Sequence, residues 1–396
     1  MDKYIMNEGT VSMENLTPLI NSALSKEMQL MLYLLGSWAQ KKSMRVYAVG
    51  GFVRDLLLGK ENNKIDLLVN NSAVEFAKSL KVILPGKFSY YERFGTATLK
   101  LPKNVIFDMV TARNELYSLP GTLSVSEHLK IKNDLFRRDF TINTLACTLN
   151  PDNFGLLHDY FGGVNDLKKG MIKALYKLSF VDDPLRILRA LSLEQRFDFQ
   201  IEEETFSLLH SAITKRLLEK VSKERLYQEV KLIFLEPSPS RVLERMHELG
   251  LFGVVFPRVP FNLLLKNSVE QLELFLRKWE VKGWGKKPDP VILFLSLLLY
   301  GLSEHDLKYL CYVMRLKKKE WLTIITILDK LPVLLRHLRQ GNLRSSEANF
   351  FLKTMPPEGL ALIFVLEKEQ RIRKRILSFW ERQRSQKPFL NEKGEG

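Results

Sequence analysis

The apolar run Val105–Val110 (VIFDMV) carries a carboxylate, Asp108, in its middle, and a lone carboxylate in such a strand is costly to bury unless it is paired or bound to a metal. A second strand-like run upstream, KIDLLV, carries Asp66 in the same way. Before it, RVYAVGG reads as a short strand ending in Gly50-Gly51, and FVRDLLL reads as a helix closing at Gly59, a left-handed cap position. Strand, glycine pair and helix in that order aim backbone N–H groups at an anion, as a triphosphate requires. In isolation such a pair more often marks a plain turn. Two strand carboxylates beside an anion cradle suggest Mg²⁺, which in phosphoryl transfer activates the attacking hydroxyl and neutralises the leaving group. Asp66 and Asp108 are therefore the candidate catalytic and metal-binding residues.

Around this centre the pattern divides sharply. Leu16 to Gln40 has helical spacing, and a helix is expected from Ser72 to Lys81. IDLLV, TATLKL and VIFDMV are the strands, followed by a loop-rich stretch and a helix after Arg138. Beyond Asn150-Pro151-Asp152 and Gly162-Gly163 the period is helical throughout, with segments beginning near Pro184, Glu202, Ser222, Arg241, Val269, Val291 and Glu304. A small α/β head followed by an all-helical remainder is an α+β organisation. With 396 residues, 45% of them hydrophobic, the chain is long enough for about two to four domains.

Net charge is +15, which points to a polyanion, and the interspersed acidic residues favour nucleic acid over a membrane. VILFLSLLLYGL, from Val291, is too short to cross a bilayer and reads as a core helix. The start, MDKYIMNEGT, lacks a signal pattern, and Cys147 and Cys311 suit neither a disulfide framework nor a zinc site, so a reducing, cytoplasmic setting is expected. His158-Asp159 lacks further His or Asp partners and reads as a structural turn. The basic run from Arg371 to Arg384 is either a solvated helix face or a phosphate-tracking surface, and Trp279, Trp284 and Trp321 are expected in the core.

AVGGFVRDLLLG, FGTATLK, FDMVTARNELY, NDLFRRDFTINTLA and DDPLRILRA follow one another in the order and spacing of class II tRNA nucleotidyltransferases. The chain resembles that family, which includes CCA-, CC- and A-adding enzymes and is similar to bacterial poly(A) polymerases; the motifs run from about Val46 to Val230. The resemblance implies a DNA polymerase β-like head with a mixed sheet, then all-helical neck and body. Expected boundaries are a helical extension at 1–44, the head at 45–150, a nucleotide-selecting and RNA-binding neck at 151–236, the body at 237–384 and a disordered tail at 385–396. It also implies template-independent addition of CMP or AMP, from CTP or ATP, to a tRNA 3′ end, with Mg²⁺ as cofactor. By the same resemblance Gly50, Gly51 and Arg54 would contact the triphosphate, and Arg137, Arg138, Asp139 and Asn143 its phosphates and sugar. Asp183 and Arg186, with Arg189 one turn on, would read the base edge; three apart on a helix, Asp183 and Arg186 share a face.

The pattern breaks at one position. Where the family has Asp-x-Asp, this chain reads Lys64-Ile65-Asp66. Glu61 could supply the missing carboxylate to a slow enzyme. Alternatively, Lys64 could pair with Asp66 and Asp108 in an inactive protein that still binds nucleotide or tRNA, or a partner chain could carry the activity. Milder departures are Lys173 in place of an arginine and RALSLEQRF in place of RALRFAARF. Relatives also continue past the point corresponding to Gly396, and a missing segment there is expected to weaken RNA binding.

Overall fold

The computed structural model describes residues 15–112, 127–340 and 343–385. The chain up to Asp182, joined by Phe199–Leu209, forms one compact unit; Asp183–Asp198 with the chain from His210 onward forms a second.

The first unit is built on a seven-stranded sheet of β1 Val46–Val49, β2 Lys64–Val69, β3 Lys87–Tyr91, β4 Thr96–Lys100, β5 Ile106–Thr111, β6 Ala146–Thr148 and β7 Leu157–His158, in the order β3-β4-β5-β2-β1-β6-β7. β2 and β5 run parallel and the other neighbours antiparallel, so the sheet is mixed. Alternation fixes the two faces. Ile65, Leu67, Phe107 and Met109 are buried on one face, against helix α4 (Ala73–Leu80) with its buried Phe76, Ala77 and Leu80. Lys64, Asp66, Leu68 and Asp108 project from the other. A slip of one residue would bury the carboxylates under α4 and expose the aliphatic row, so the core itself fixes which face carries them.

Preceding α4 are α1 Thr17–Ala23, α2 Lys26–Lys41 and α3 Gly51–Leu57. The expected N-terminal helix is thus two helices, because Ser25 adopts an extended conformation and accepts the Met28 N–H to start the second. α3 stops before Gly59, whose φ of +64° is left-handed. α4 falls within the expected span, and Ser72 caps it by accepting the Glu75 N–H.

The helix expected after Arg138 instead precedes it, as α5 Glu127–Phe136. After Arg138 the chain makes only a single tight turn over Thr141–Asn143 before entering β6. Asp139 accounts for this, since its carboxylate takes the Phe140 N–H and holds the backbone out of a helix. Ile131 and Leu135 of α5 pack with Tyr47, Val49, Leu68, Ala112, Ala146 and Tyr160, on the sheet face that carries Asp66. α6 Gly163–Lys168, the short ladder of β8 Met171–Ile172 with β9 Gln200–Ile201, and α7 Ser179–Asp182 complete the unit.

The second unit, as far as it is described, is helical. It contains α8 Arg186–Phe197, the end of α9 Glu203–Thr214, α10 Lys223–Phe234, α11 Pro239–Glu248, α12 Phe252–Val255, α13 Leu263–Lys282 and α14 Pro290–Leu299. These are followed by α15 Glu304–Met314, α16 Lys318–Arg339, α17 Ser345–Lys353, α18 Pro357–Leu366 and α19 Gln370–Ser385. α14 is buried from Val291 to Leu299 and packs with α13, α16 and α18, as a core helix should. α13 begins at Leu263, six residues before Val269, because Asn262 caps it through the Leu265 N–H. Trp279 and Trp284 are buried, together with Trp380, whereas Trp321 is only half-buried. Among the described residues no helix is long and apolar enough to cross a membrane.

Candidate functional site

Gly50 joins β1 to α3 with φ 71° and ψ −131°, a conformation open to glycine and strained for any other residue. A Cβ here would also stand 2.4 Å from Nη1 of Arg138, so the guanidinium lies directly against the turn. Arg138 makes a long ion pair with Asp134 at 3.9 Å, and its Nε is buried without a hydrogen-bond partner among the described residues. Arg137 beside it is exposed.

Arg54 is buried and braces the turn from behind. Its Nε and Nη2 donate to Asp55 Oδ1 at 2.9 and 2.7 Å, and its Nη1 donates to Asn143 Oδ1 at 2.6 Å. Asn62 donates to the other Asp55 oxygen at 2.7 Å, and Asn143 donates to Asp139 at 2.9 Å. A buried ion pair is tolerable when its remaining lone pairs and protons are taken up in this way. The relay ties the loop before β2, helix α3 and the RRDFTIN segment into one frame. Of the residues expected to touch a triphosphate, Gly50, Gly51 and Arg138 line the turn, while Arg54, Asp139 and Asn143 hold it together.

On the neighbouring strands Asp66 lies in register with Asp108 across the parallel pair and with Val49 across the antiparallel one. Thr98 on β4 donates to Asp108 Oδ1 at 2.7 Å. Lys64 Nζ sits 3.1 Å from the other Asp108 oxygen, on a side chain that is 62% exposed. Burial pushes the Asp66 carboxyl above its ordinary range, and the Asp108 charge adds to this, against the pull of Lys64 and Arg138. For Lys64, burial works to lower the ammonium, but the hydrogen bond to Asp108 and the charges of Asp66 and Asp108 prevail and hold it above its ordinary range. Lys64 thus faces both carboxylates, and Arg138 also draws on Asp66.

The expected Mg²⁺ meets a donor set that does not fit it. Among the described residues no three His, Cys, Asp or Glu side chains converge as metal ligands, and one Asp108 oxygen is already paired with an ammonium. A divalent ion about 4 Å from that ammonium would be repelled by about 8 kcal/mol at an effective dielectric of ~20, less whatever solvent around the exposed lysine screens. Glu61 does not fill the gap. It is exposed, lines a separate groove with Glu27, Met28 and Lys103, and is not among the charges acting on Lys64 or Asp66.

In the helical unit Asp183 precedes α8 and its carboxylate accepts the Leu185 N–H at 3.3 Å. It is held by Arg225 at 2.9 Å and, more loosely, by Arg189 at 3.8 Å, and Arg189 in turn donates to Glu229 at 3.1 Å. Arg186 is buried in the first turn of α8. Asp183, Arg186 and Arg189 are the residues expected from sequence, whereas Arg225 and Glu229, which hold Asp183 and Arg189, were not expected. No local signal could reveal those two, since they arrive on α10 by helix packing. Two milder departures also find partners, Lys173 with Glu202 at 2.7 Å and Glu194 with Arg245 at 3.0 Å. His158-Asp159 is structural: His158 meets the Thr148 hydroxyl at 2.8 Å, and Asp159 takes the N–H groups of Gly163 and Val164.

Two family models match the chain, the poly A polymerase head domain over residues 46–173 and the probable RNA- and SrmB-binding site of polymerase A over residues 198–261. The A-adding tRNA nucleotidyltransferase of Geobacter sulfurreducens is 33% identical over 363 residues, 90% of this chain and 41% of that protein. That of Halalkalibacterium halodurans is 37% identical over 265 residues, 65% of this chain and 62% of that protein. The chain therefore spans less than two thirds of either relative. Among solved structures, a CCA-adding enzyme with ATP is 34% identical with a TM-score of 0.72, covering 97% of this chain and 89% of that one. The Thermotoga maritima CCA-adding enzyme in complex with tRNA is 34% identical with a TM-score of 0.66, covering 94% and 87%.

Proposed function

The chain belongs to the class II CCA-adding tRNA nucleotidyltransferase and poly(A) polymerase head family, and from that premise we propose that it adds AMP or CMP to the 3′ end of tRNA without a nucleic acid template, at a rate depressed by Lys64. The observation that carries this reading is the gathering of the Gly50 turn, the Arg138 guanidinium and the in-register Asp66–Asp108 pair over the central strands of one sheet. In the reaction the 3′ hydroxyl oxygen bonds to the α-phosphorus and its proton passes to solvent, the bond from that phosphorus to the oxygen bridging it to the β-phosphorus breaks, and pyrophosphate leaves. Gly50 and Gly51 let the phosphates approach the backbone, Arg138 offsets their charge, and Arg54 with Asn143 and Asp139 fixes the turn. Asp183, Arg186 and Arg189 present the acceptor and donors that select the base, with Arg225 holding Asp183 ready. The relatives named A-adding put AMP ahead of CMP. The helical neck and body receive the acceptor, and the cytoplasm is where this substrate is met.

Family members generally use divalent ions, which neutralise the charge that builds up during transfer. In this chain Lys64 opposes that arrangement, so transfer is slow. A second reading, a nucleotide- and tRNA-binding protein without transfer, is favoured by the Lys64–Asp108 ion pair. Labelled ATP and CTP, supplied separately with tRNAs ending before C, after C and after CC, separate the two. Incorporation by the natural chain with Mg²⁺ supports the enzyme. Incorporation only by Lys64→Asp supports the binding protein, and long homopolymeric tails on other RNAs would instead mark a poly(A) polymerase.

A further inference from the structure

The misfit between donor set and metal has a positive side. We propose that the Lys64 ammonium is the resident counter-ion of this site, so that the chain binds a nucleoside triphosphate without a divalent cation. The inference rests on the nucleotide-binding reading above and deepens it.

Three observations carry it. First, aspartate at position 64 would give three carboxylates here, and a triphosphate could approach them only with metal ions in between. With lysine the same positions hold two carboxylates and one ammonium, a net charge of −1 by simple count. Second, the ammonium has three donors, of which Asp108 accounts for one at 3.1 Å, and its side chain is largely exposed, so the others are available to phosphate oxygens. Third, Arg138 lies against the Gly50 turn with a buried Nε that has no partner among the described residues. Two side-chain cations thus border the phosphate turn, and neither requires a metal.

The test is equilibrium binding of labelled ATP by the full chain, in EDTA and in excess Mg²⁺, for the natural protein, Lys64→Gln and Lys64→Asp, with protein-bound Mn²⁺ measured separately by its paramagnetic signal. The natural chain is expected to bind ATP with affinities that differ by less than about threefold between the two conditions, and to hold no Mn²⁺ by itself. Lys64→Gln should lose roughly tenfold in EDTA, and Lys64→Asp should bind ATP only with the metal and gain a Mn²⁺ site. ATP binding by the natural chain that disappears in EDTA and returns with Mg²⁺ overturns the inference and leaves the nucleotidyltransferase reading standing. Absence of ATP binding in both conditions overturns both. Undiminished binding by Lys64→Gln in EDTA also overturns the inference, since the charge would then be dispensable.

Discussion

The sheet unit and the helical unit hold their charged side chains in different ways. In the sheet, Asp66 and Asp108 are placed by backbone ladders on both sides, so exchanging the neighbouring Asp for Lys64 inverts a charge without moving the frame. In the helical unit, placement comes from the charges themselves. Arg189 bonds to Glu229 on α10, Arg245 on α11 to Glu194, and Arg196 to Glu236 in the turn between α10 and α11, so each tie fixes α8 against its neighbours. The carboxylates of Glu229 and Glu236 are nearly buried, at 7% and 3% exposed. A strand therefore tolerates a charge swap as a chemical change, whereas a helix pair meets it as a structural one.

The strongest challenge to this contrast is Lys64→Asp. If the ladder holds the frame, restoring the carboxylate raises Mg²⁺-dependent incorporation of labelled nucleotide by about 100-fold or more, equivalent to about 2.7 kcal/mol, with little change in melting temperature. An unchanged rate would mean that the frame had drifted along with the charge. In the helical unit Glu236→Ala should cost about 1.5–3 kcal/mol of unfolding free energy, because it removes a nearly buried carboxylate that accepts from Arg196. Urea midpoints read this directly, and a loss below ~0.5 kcal/mol would erase the distinction between the units. Gly50→Ala tests the frame where conformation rather than charge decides. The positive φ should cost about 1–2 kcal/mol, and ATP affinity should fall with it as Arg138 is displaced.

The smallest effect belongs to Lys173–Glu202, a pair in the sheet unit that resembles the helical ties but is exposed. Burial works to raise Glu202, but the hydrogen bonds from Lys173 and Thr205 prevail and lower it from 4.5. The hydrogen bond to Glu202 outweighs burial for Lys173 and raises it from 10.5. A carboxylate lowered on folding stabilises fully above its unfolded value and loses this as pH falls; an amine raised on folding stabilises fully below its unfolded value and loses this as pH rises. The pair should thus contribute at full strength between pH 4.5 and 10.5. Because Lys173 is about half exposed, Lys173→Ala should cost less than ~1 kcal/mol within that window, as thermal melts across pH can check.

The same contrast governs what could be read from the chain alone. Asp66, Asp108 and the Gly50 turn were legible because strand alternation and a positive-φ glycine leave a mark within a few residues. The left-handed cap at Gly59 was legible for the same local reason. The helix placed after Arg138 was misread because pairing decides there: Asp139 takes the Phe140 N–H, Phe140 bridges to Ala174, and the Thr141 N–H donates to the Lys173 carbonyl. Arg225 and Glu229 had no local mark at all, being partners supplied by another helix. Strand KFSYY, at Lys87–Tyr91, went unnoticed because it lies at the end of the sheet order and alternates only between half-exposed and exposed positions.

Trp279, Trp284 and Trp380 stack and edge against one another with ring centres 4.9 to 5.6 Å apart. With half-buried Trp321 they place four of the chain's five indoles in the helical unit, and Trp38 alone in the other. Ultraviolet emission from the protein is therefore a native optical signal weighted heavily toward one unit. Replacing Trp38 by phenylalanine would remove the sheet unit's indole, so that tryptophan emission would follow the melting of the helical unit alone.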